Sequence, residues 1–375
     1  MNSVMKTLTR TRGAFDIGSG TIKLQIGSFD ANNKISSLLY GTERPVLFGE
    51  DWQKSKDGNL SSDIQERGIR VLGDLKRYAM EEHGVIEFYG VATEVFRKSP
   101  NGVAYLERVT RELEIPTVVV SQGMEAAIGY ATGLAAIRVT ETERDVDVNT
   151  SLSKLIIWDS GAASFQMTSM DPCSECSESA QFLMYMAPFG TSVVNSLLRG
   201  IKSESVPTEG PAAPAGLNPV SAKDIRQLVE SLTSSLPSEV PHWLQAGSGL
   251  DCSVGSGGEE TAAGPQIMAI GGRNSMFQTA KRILEVEGRA EGSDAFIPFT
   301  LHLNDLERCL SLCTDKTNDE LLKYCDYEHS DGPGSTVSKL CLFYSVMKHL
   351  NLNAISTVCT VGSCGGVLNT PRFWS

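Results

Sequence analysis

The sequence predicts an α/β protein built as two related halves with a cleft between them. Three observations lead there. A short pattern occurs twice, in "RGAFDIGSGTIKLQIGSFD" (12–30) and "LIIWDSGAASFQMTSMD" (155–171). Shifted by 143 residues, Asp16 falls on Asp159, Gly18 on Gly161, Thr21 on Ser164, Ile22 on Phe165 and Leu24 on Met167. A repeat at this distance is the mark of a duplicated domain. Strand-like and helix-like stretches alternate through the first half, which is the α/β signature. The chain has 375 residues, enough for two full cores.

Each element has a local reason. Ile22, Leu24 and Ile26 alternate with Lys23 and Gln25, the period of a half-buried strand. Each copy therefore reads as a β-hairpin with a turn of small residues. The stretch 61–84 reads as a helix. Ser62 or Asp63 can cap it, Ile64, Ile69, Leu72, Leu75 and Tyr78 lie near helical spacing, and Gly84 stops it. A buried strand (85–95) leads into a polar turn (96–102). A helix (103–114) ends before Pro116, a strand (117–123) follows, and an Ala-rich helix opens at Glu125. The segment 145–151 reads as a hinge. These stretches divide the chain into a domain over 1–140 and a second over 150–375.

The second half carries two stretches poor in apolar residues and rich in Gly, Pro and Ser, about 203–220 and 246–265, which read as disordered or surface insertions. Helices are expected over 222–237, 303–313, 318–325 and 338–352. After an apolar strand the pair Gly271-Gly272 leads into another helix. The segment 354–368 closes as a strand and a Gly-rich turn.

Composition limits the functions. The apolar fraction is 41% and the charged fraction 21%, as in globular proteins. No run of 18 apolar residues occurs, so no membrane span is expected. The N-terminal "MNSVMKTLTRTRG" has no apolar core, so no secretory signal is expected. Nine scattered cysteines fit reduced thiols in a cytoplasmic setting. Cys173 and Cys176 form one C-x-x-C in a polar loop, read as a plain loop feature rather than a zinc or redox site. A net charge of −12 argues against nucleic acid and membrane surfaces as partners. A polyanionic ligand would need a local basic patch, for which Arg97, Lys98 and Arg273 stand beside turns.

Four turns carry candidate chemistry. At Asp16–Thr21, small side chains let backbone N–H groups approach a ligand, and an Asp at the edge suits a hydrated divalent cation. The alternative is a tight hairpin with no ligand. Asp159–Ser164 repeats it with Ala162 and Ala163 where glycine would be freer. Gly271-Gly272 is either a plain helix-entry turn or a phosphate seat. Glu125 is either a first-turn acid favoured by the helix dipole or a catalytic carboxylate.

The motifs in their order resemble the exopolyphosphatase and guanosine pentaphosphate phosphatase (Ppx/GppA) family, within the superfamily of actin, hexokinase and the heat-shock chaperone ATPases. "FDIGSGTIKLQIG" resembles the family's first phosphate motif. "VATEVFRKSPNG" resembles its T-x-x-x-R-x-x-x-N segment, giving Thr93, Arg97 and Asn101. "VVVSQGMEAAIGYATG" resembles I-S-G-x-E-E-A, and "LIIWDSGAASFQM" the second phosphate motif. "APFGTSVVNSLL", "AIGGRNSMF" and the closing strand and turn follow in family order.

The resemblance implies two actin-like (ribonuclease H-like) domains. Asp16 and Asp159 would position Mg²⁺ (or Mn²⁺) with its waters. The turns Gly18, Ser19, Gly20, Thr21 and Gly161, Ala162, Ala163, Ser164 would bind phosphate, with Gly271 and Gly272 as a further seat. Arg97 would contact phosphate, and Glu125 would act as general base on water.

The chain departs from the pattern at Gln122, where the family has Gly, and at Met124, where it has the first Glu of the pair. Ser160, Ala162, Ala163, Phe165 and Gln166 stand where the family has Ile, Gly, Gly, Thr and Glu. The expected activity is removal of terminal phosphate from polyphosphate or a guanosine polyphosphate nucleotide. A weakened relative that binds such ligands as a sensor or scaffold, and a kinase or ATPase of the same superfamily, stay open. So does a homodimer.

Overall fold

The computed structural model describes residues 10–141, 155–162, 164–171, 182–204, 216–245, 266–289, 297–325 and 332–374. The chain divides into two compact units, Met1–Glu143 with Thr360–Ser375, and Arg144–Cys359.

The first unit is built on a five-stranded sheet in the order β3-β2-β1-β4-β5, with β1 Arg10–Ile17, β2 Thr21–Phe29, β3 Ile35–Pro45, β4 Glu87–Ala92 and β5 Thr117–Val119. The first three strands run antiparallel in sequence, and β4 and β5 join parallel to β1. Helices α1 (Phe48–Lys54), α2 (Ser62–His83), α3 (Glu94–Lys98), α4 (Gly102–Leu113) and α5 (Gln122–Glu141) fill the connections. Helix α2 has the expected stop at Gly84, in the left-handed region at φ 62, but its cap is Ser61, which accepts from the Ile64 N–H at 3.3 Å. The polar turn after β4 contains α3, a single short helix.

The second unit repeats the plan. Its strands are β6 Leu155–Ser160, β7 Phe165–Met170, β8 Phe182–Ala187, β9 Gln266–Gly271, β10 Phe299–His302 and β11 Ala354–Cys359. They lie in the order β10-β11-β9-β6-β7-β8. Read from the hairpin outward, β8-β7-β6-β9-β11 has the same pairing directions as β3-β2-β1-β4-β5, with β10 added at one edge. The register repeats as well. Ile17 pairs with Ile22 and Ser160 with Phe165, which are the same positions under the sequence shift. Helices α6 (Thr191–Glu204), α7 (Ala222–Ser235), α8 (His242–Gln245), α9 (Met276–Val286), α10 (Leu303–Cys313), α11 (Asn318–Leu321) and α12 (Thr336–His349) complete this unit. Trp158, Phe277 and Phe343 meet edge to face at its centre, with ring centroids 5.1–5.5 Å apart. Such pairs add about 0.5–1.5 kcal/mol each beyond their burial.

Three expectations are corrected. The C-terminal residues 360–374 belong to the first unit rather than the second. The cause is α13 (Cys364–Asn369), where a Gly-rich turn was expected. Its glycines allow close approach to α5: a Cβ on Gly366 would stand 2.0 Å from the Ile128 carbonyl oxygen, and the Gly366 N–H donates to Thr132 Oγ1 at 2.8 Å. Packing here overrides the low helix propensity of glycine. Strand β2 is buried on both faces rather than one, with Gln25 inside and close to Gly365. The first insertion ends earlier than expected. Leu217 and Val220 are in the core, and Asn218 donates to Asn318 Oδ1 and the Pro333 carbonyl. Residues 205–215 and 246–265, the hinge and the C-x-x-C lie outside the described residues.

Candidate active site

In the first unit, three parallel strands end side by side, and each leads to one candidate residue. Asp16 is next to last in β1 and is buried. After β4, Thr93 opens α3, and its N–H donates to the Ile17 carbonyl at 3.3 Å, tying that helix to the end of β1. Arg97 sits one turn along α3. After β5, the Val120 N–H donates to the Ala92 carbonyl, and α5 begins with Glu125 in its first turn. The carboxyl ends of parallel strands are where open α/β sheets bind ligands.

The turn between β1 and β2 is fixed by three hydrogen bonds. The Gly18 N–H donates to the Thr21 carbonyl (2.9 Å). The Ser19 and Gly20 carbonyls accept from the N–H groups of Gly49 (2.7 Å) and Val46 (3.0 Å). With the carbonyls tied back, the N–H groups of Ser19 and Gly20 donate to no described acceptor. The second turn repeats the closing bond and the tied carbonyl at the position of Ser19. The Gly161 N–H donates to the Ser164 carbonyl (2.9 Å), and the Gly161 and Ala162 carbonyls accept from Thr191 (3.4 Å) and Ser192 (2.9 Å). A left-handed backbone is not what glycine supplies here, since Gly18, Gly20 and Gly161 all lie outside that region. What Gly20 supplies is space, because a Cβ there would meet nothing within 4 Å.

Asp16 is held by residues that sequence reasoning did not connect to it. Lys23 lies directly across the strand pair, and its Nζ donates to Asp16 Oδ2 at 3.2 Å. Burial opposes the Lys23 charge, but Asp16 and Glu43 outweigh it and raise the pKa above the usual lysine range. The Ser363 N–H also donates to Asp16 Oδ2, at 2.9 Å. Gly362 before it has φ +54, and a Cβ there would stand 2.2 Å from Asp16 Oδ2 and 2.5 Å from Lys23 Cδ. The one local signal was a glycine just after an apolar strand, at the far end of the chain.

Arg97 Nη1 donates to Glu125 Oε2 at 2.9 Å and to the Val120 carbonyl at 2.7 Å. Both side chains are 25% exposed. Burial pushes the Glu125 pKa up, Arg97 pulls it down, Asp16 and Glu94 push it up again, and the net direction is upward. Asn101 does not join this group. Its side chain bonds both backbone groups of Leu60 (2.9 and 2.8 Å) and anchors the loop before α2.

The remaining candidates lie in the second unit. Asp159 pairs with Gln166 on β7 and Ile270 on β9, at the strand ends that carry the second turn. Ala163 lies outside the described residues. Gly271 is explained by packing: a Cβ would be 2.5 Å from Ser275 Cβ, and Ser275 caps α9 by accepting from the Gln278 N–H. This favours the plain helix-entry reading of Gly271-Gly272. Among the described residues, no group of three or more His, Cys, Asp or Glu could hold a metal ion.

The paired sheets, repeated register and repeated turns define a duplicated actin-like α/β fold. Solved structures with the same fold place it more closely. The Ppx/GppA phosphatase of Aquifex aeolicus (type II variant) is similar at a TM-score of 0.62 and 16% identity, over 96% of this chain and 98% of its own. An exopolyphosphatase-like protein reaches a TM-score of 0.63 at 15% identity, over 98% and 99% of the two chains. An exopolyphosphatase from Cytophaga hutchinsonii reaches 0.60 at 16%, over 97% and 98%. No protein-family profile and no curated protein matches the chain. The fold is the one found in Ppx/GppA phosphatases, as the sequence resemblance implied.

Proposed function

We propose that the chain is a phosphohydrolase that removes terminal phosphate from inorganic polyphosphate or a polyphosphorylated guanosine nucleotide. The observation that carries this is the single group in the first unit of Asp16, Arg97, Glu125 and a turn with two undonated N–H groups. Glu125 is suited to take a proton from water, because burial raises its basicity and Arg97 fixes one of its oxygens. The N–H groups of Ser19 and Gly20 are suited to stabilise oxygen charge on the transferring phosphoryl group.

Oδ2 of Asp16 is occupied by Lys23 and Ser363, while Oδ1 makes no hydrogen bond to a described residue. The free Oδ1 is the oxygen through which Asp16 would hold a magnesium or manganese ion, chiefly by way of waters, while the Lys23 ammonium on Oδ2 opposes the ion as a like charge. When bound, such an ion would supply positive charge to the leaving phosphate. Among the described residues no helix is long and apolar enough to cross a membrane.

The test is phosphate release from polyphosphate, guanosine pentaphosphate and ATP with Mg²⁺, run beside Asp16→Asn. Release from a polyphosphorylated substrate that Asp16→Asn abolishes supports the reading. Tight binding of the same substrates with no release would assign the chain to the sensor or scaffold class, for which the Glu-to-Gln departure at Gln166 is the motivating feature. ADP formation that requires an acceptor would assign it to the kinases.

A further inference from the structure

Three charged residues lie in a row across the first sheet. Asp16 of β1 stands opposite Lys23 of β2, and Lys23 stands opposite Glu43 of β3. Opposed residues share one face of a sheet, with Cβ atoms about 4.5–5.5 Å apart. The lysine in the middle therefore has a carboxylate on either side, and it bonds one of them. Its Nζ donates to Asp16 Oδ2 at 3.2 Å, while the Glu43 carboxylate makes no hydrogen bond or ion pair among the described residues. Arg44 does not take that carboxylate, because its Nη1 donates to Thr42 Oγ1 and the Glu43 carbonyl. Burial opposes the charge on Lys23, and Asp16 and then Glu43 favour it, so Glu43 already acts on the ammonium. Glycine keeps the space beside the lysine open: a Cβ on Gly362 would stand 2.5 Å from Lys23 Cδ and 2.9 Å from its Nζ. Asp16 is buried and Glu43 half-buried, so the row leads outward to better hydration.

We propose that Glu43 is the second seat of Lys23. When a magnesium or manganese ion takes Asp16, Lys23 leaves Oδ2 and its ammonium pairs with Glu43 across the other strand pair. Like charges a few ångströms apart repel strongly where water is largely excluded, and a ready acceptor for the ammonium removes that repulsion. Asp16 then has a cation beside it throughout, Lys23 before the ion and the ion afterwards. The exchange is the swing of one side chain, with no covalent bond made or broken. Glu43 is thus a positioning residue, which sets how tightly Asp16 holds an ion that Glu43 itself does not touch. The inference rests on the metal-assisted phosphohydrolase reading, and deepens it by assigning the residues that govern ion entry.

The test uses the full chain and Mn²⁺ alone, with binding read by calorimetry. Asp16→Asn locates the ion and should weaken its binding about tenfold or more. Glu43→Gln should weaken Mn²⁺ about tenfold, because Lys23 has lost its second seat. Lys23→Gln keeps a donor for Asp16 Oδ2 and removes the like charge, so it should tighten Mn²⁺ about tenfold. The double variant decides the matter. With Lys23→Gln in place, Glu43→Gln should change the affinity by less than about twofold, since no ammonium remains to be received. A crystal of the unaltered protein with Mn²⁺ asks nothing of the variants' folding, and should show Lys23 Nζ against Glu43.

An equal loss on Glu43→Gln in both backgrounds would overturn the inference, because Glu43 would then act on the ion only as a distant charge. So would Mn²⁺ binding that Asp16→Asn leaves intact, or no binding by wild type and Lys23→Gln alike, or Lys23 still on Asp16 Oδ2 in the Mn²⁺ crystal. Phosphate release is scored separately. A chain with the expected binding pattern that releases no phosphate from any substrate loses the hydrolase reading alone. A chain that releases phosphate while Glu43→Gln and Lys23→Gln bind Mn²⁺ as wild type does loses this inference alone.

Discussion

A single methyl group at Gly362 should damage the site from the far end of the chain. In Gly362→Ala the backbone stays in the left-handed region at φ +54, which costs a residue with a Cβ about 1–2 kcal/mol. The new Cβ would stand 2.2 Å from Asp16 Oδ2 and 2.5 Å from Lys23 Cδ. Ordinary heavy-atom contacts lie near ~3.5–4.0 Å, so the carboxylate or the turn must move by on the order of 1 Å. Relieving an overlap of that kind in a packed site costs about 1–3 kcal/mol. The sum, roughly 2–5 kcal/mol, corresponds to a fall of about 5–20 °C in melting temperature for a unit of this size. A misplacement of about 1 Å at the reacting centre costs on the order of 10²-fold in rate. Thermal unfolding and phosphate release are measured on the same preparation. Gly20→Ala serves as the stability control, because its Cβ would meet nothing and its melting temperature should stay in place. A Gly362→Ala protein that melts within about 2 °C of wild type and turns over at the wild-type rate would show that the turn yields freely and that Asp16 is not held by it.

Glu125→Gln should lower turnover by roughly 10²–10⁴-fold, as for the loss of a general base, with circular dichroism unchanged. Near wild-type turnover would remove Glu125 from the mechanism. The raised Glu125 pKa fixes two signs. Activity should fall on acidification through a limb above 4.5, the ordinary glutamate value. The ionised, buried carboxylate should cost stability at neutral pH, so Glu125→Gln should melt at an equal or higher temperature at pH 7, with the difference shrinking below the glutamate range. A limb at or below the ordinary value in a pH–rate profile would refute this. Gln166→Glu puts a carboxylate directly across the strand pair from Asp159. Like charges at that position should destabilise by up to about 1 kcal/mol, and Mg²⁺ should restore the melting temperature if a cation binds there. No response to Mg²⁺ would argue against metal at Asp159.

The hairpin repeat was legible because it is local. The turn, its Asp and the strand alternation all lie within a few residues, and the same shift holds for the pairing register. Helix α2 was legible for the same reason, since its amphipathic spacing and Gly84 are both in the sequence. Strands β3 and β8 went unread. In β3, "ISSLLYGTERP" mixes faces without clean alternation, and "FLMYMA" in β8 is a short apolar run that carries no period of its own. The helix at Cys364–Asn369 was hidden by two glycines, whose low propensity is overruled by the backbone of α5 against them. Leu217 and Val220 were hidden by the Pro- and Gly-rich residues around them. In the site, Asp16, Arg97 and Glu125 were picked out from motif order, and the structure brings these three into one unit. Their bonds to each other were not legible. Neither was the 347-residue separation bridged by Ser363 and Asp16, because no local pattern records which distant backbone donor will meet a carboxylate.

That long bridge has a consequence for synthesis. Strand β1 and its turn are made well before the donor that fixes Asp16 and the helix that covers β2. A chain halted at residue 359 would carry every candidate catalytic side chain and still lack the Ser363 bond and the α13 face. The carboxylate would sit beside Lys23 with its second restraint missing and the back of its sheet uncovered. The restraint on Asp16 is therefore completed only after residue 363 has been made.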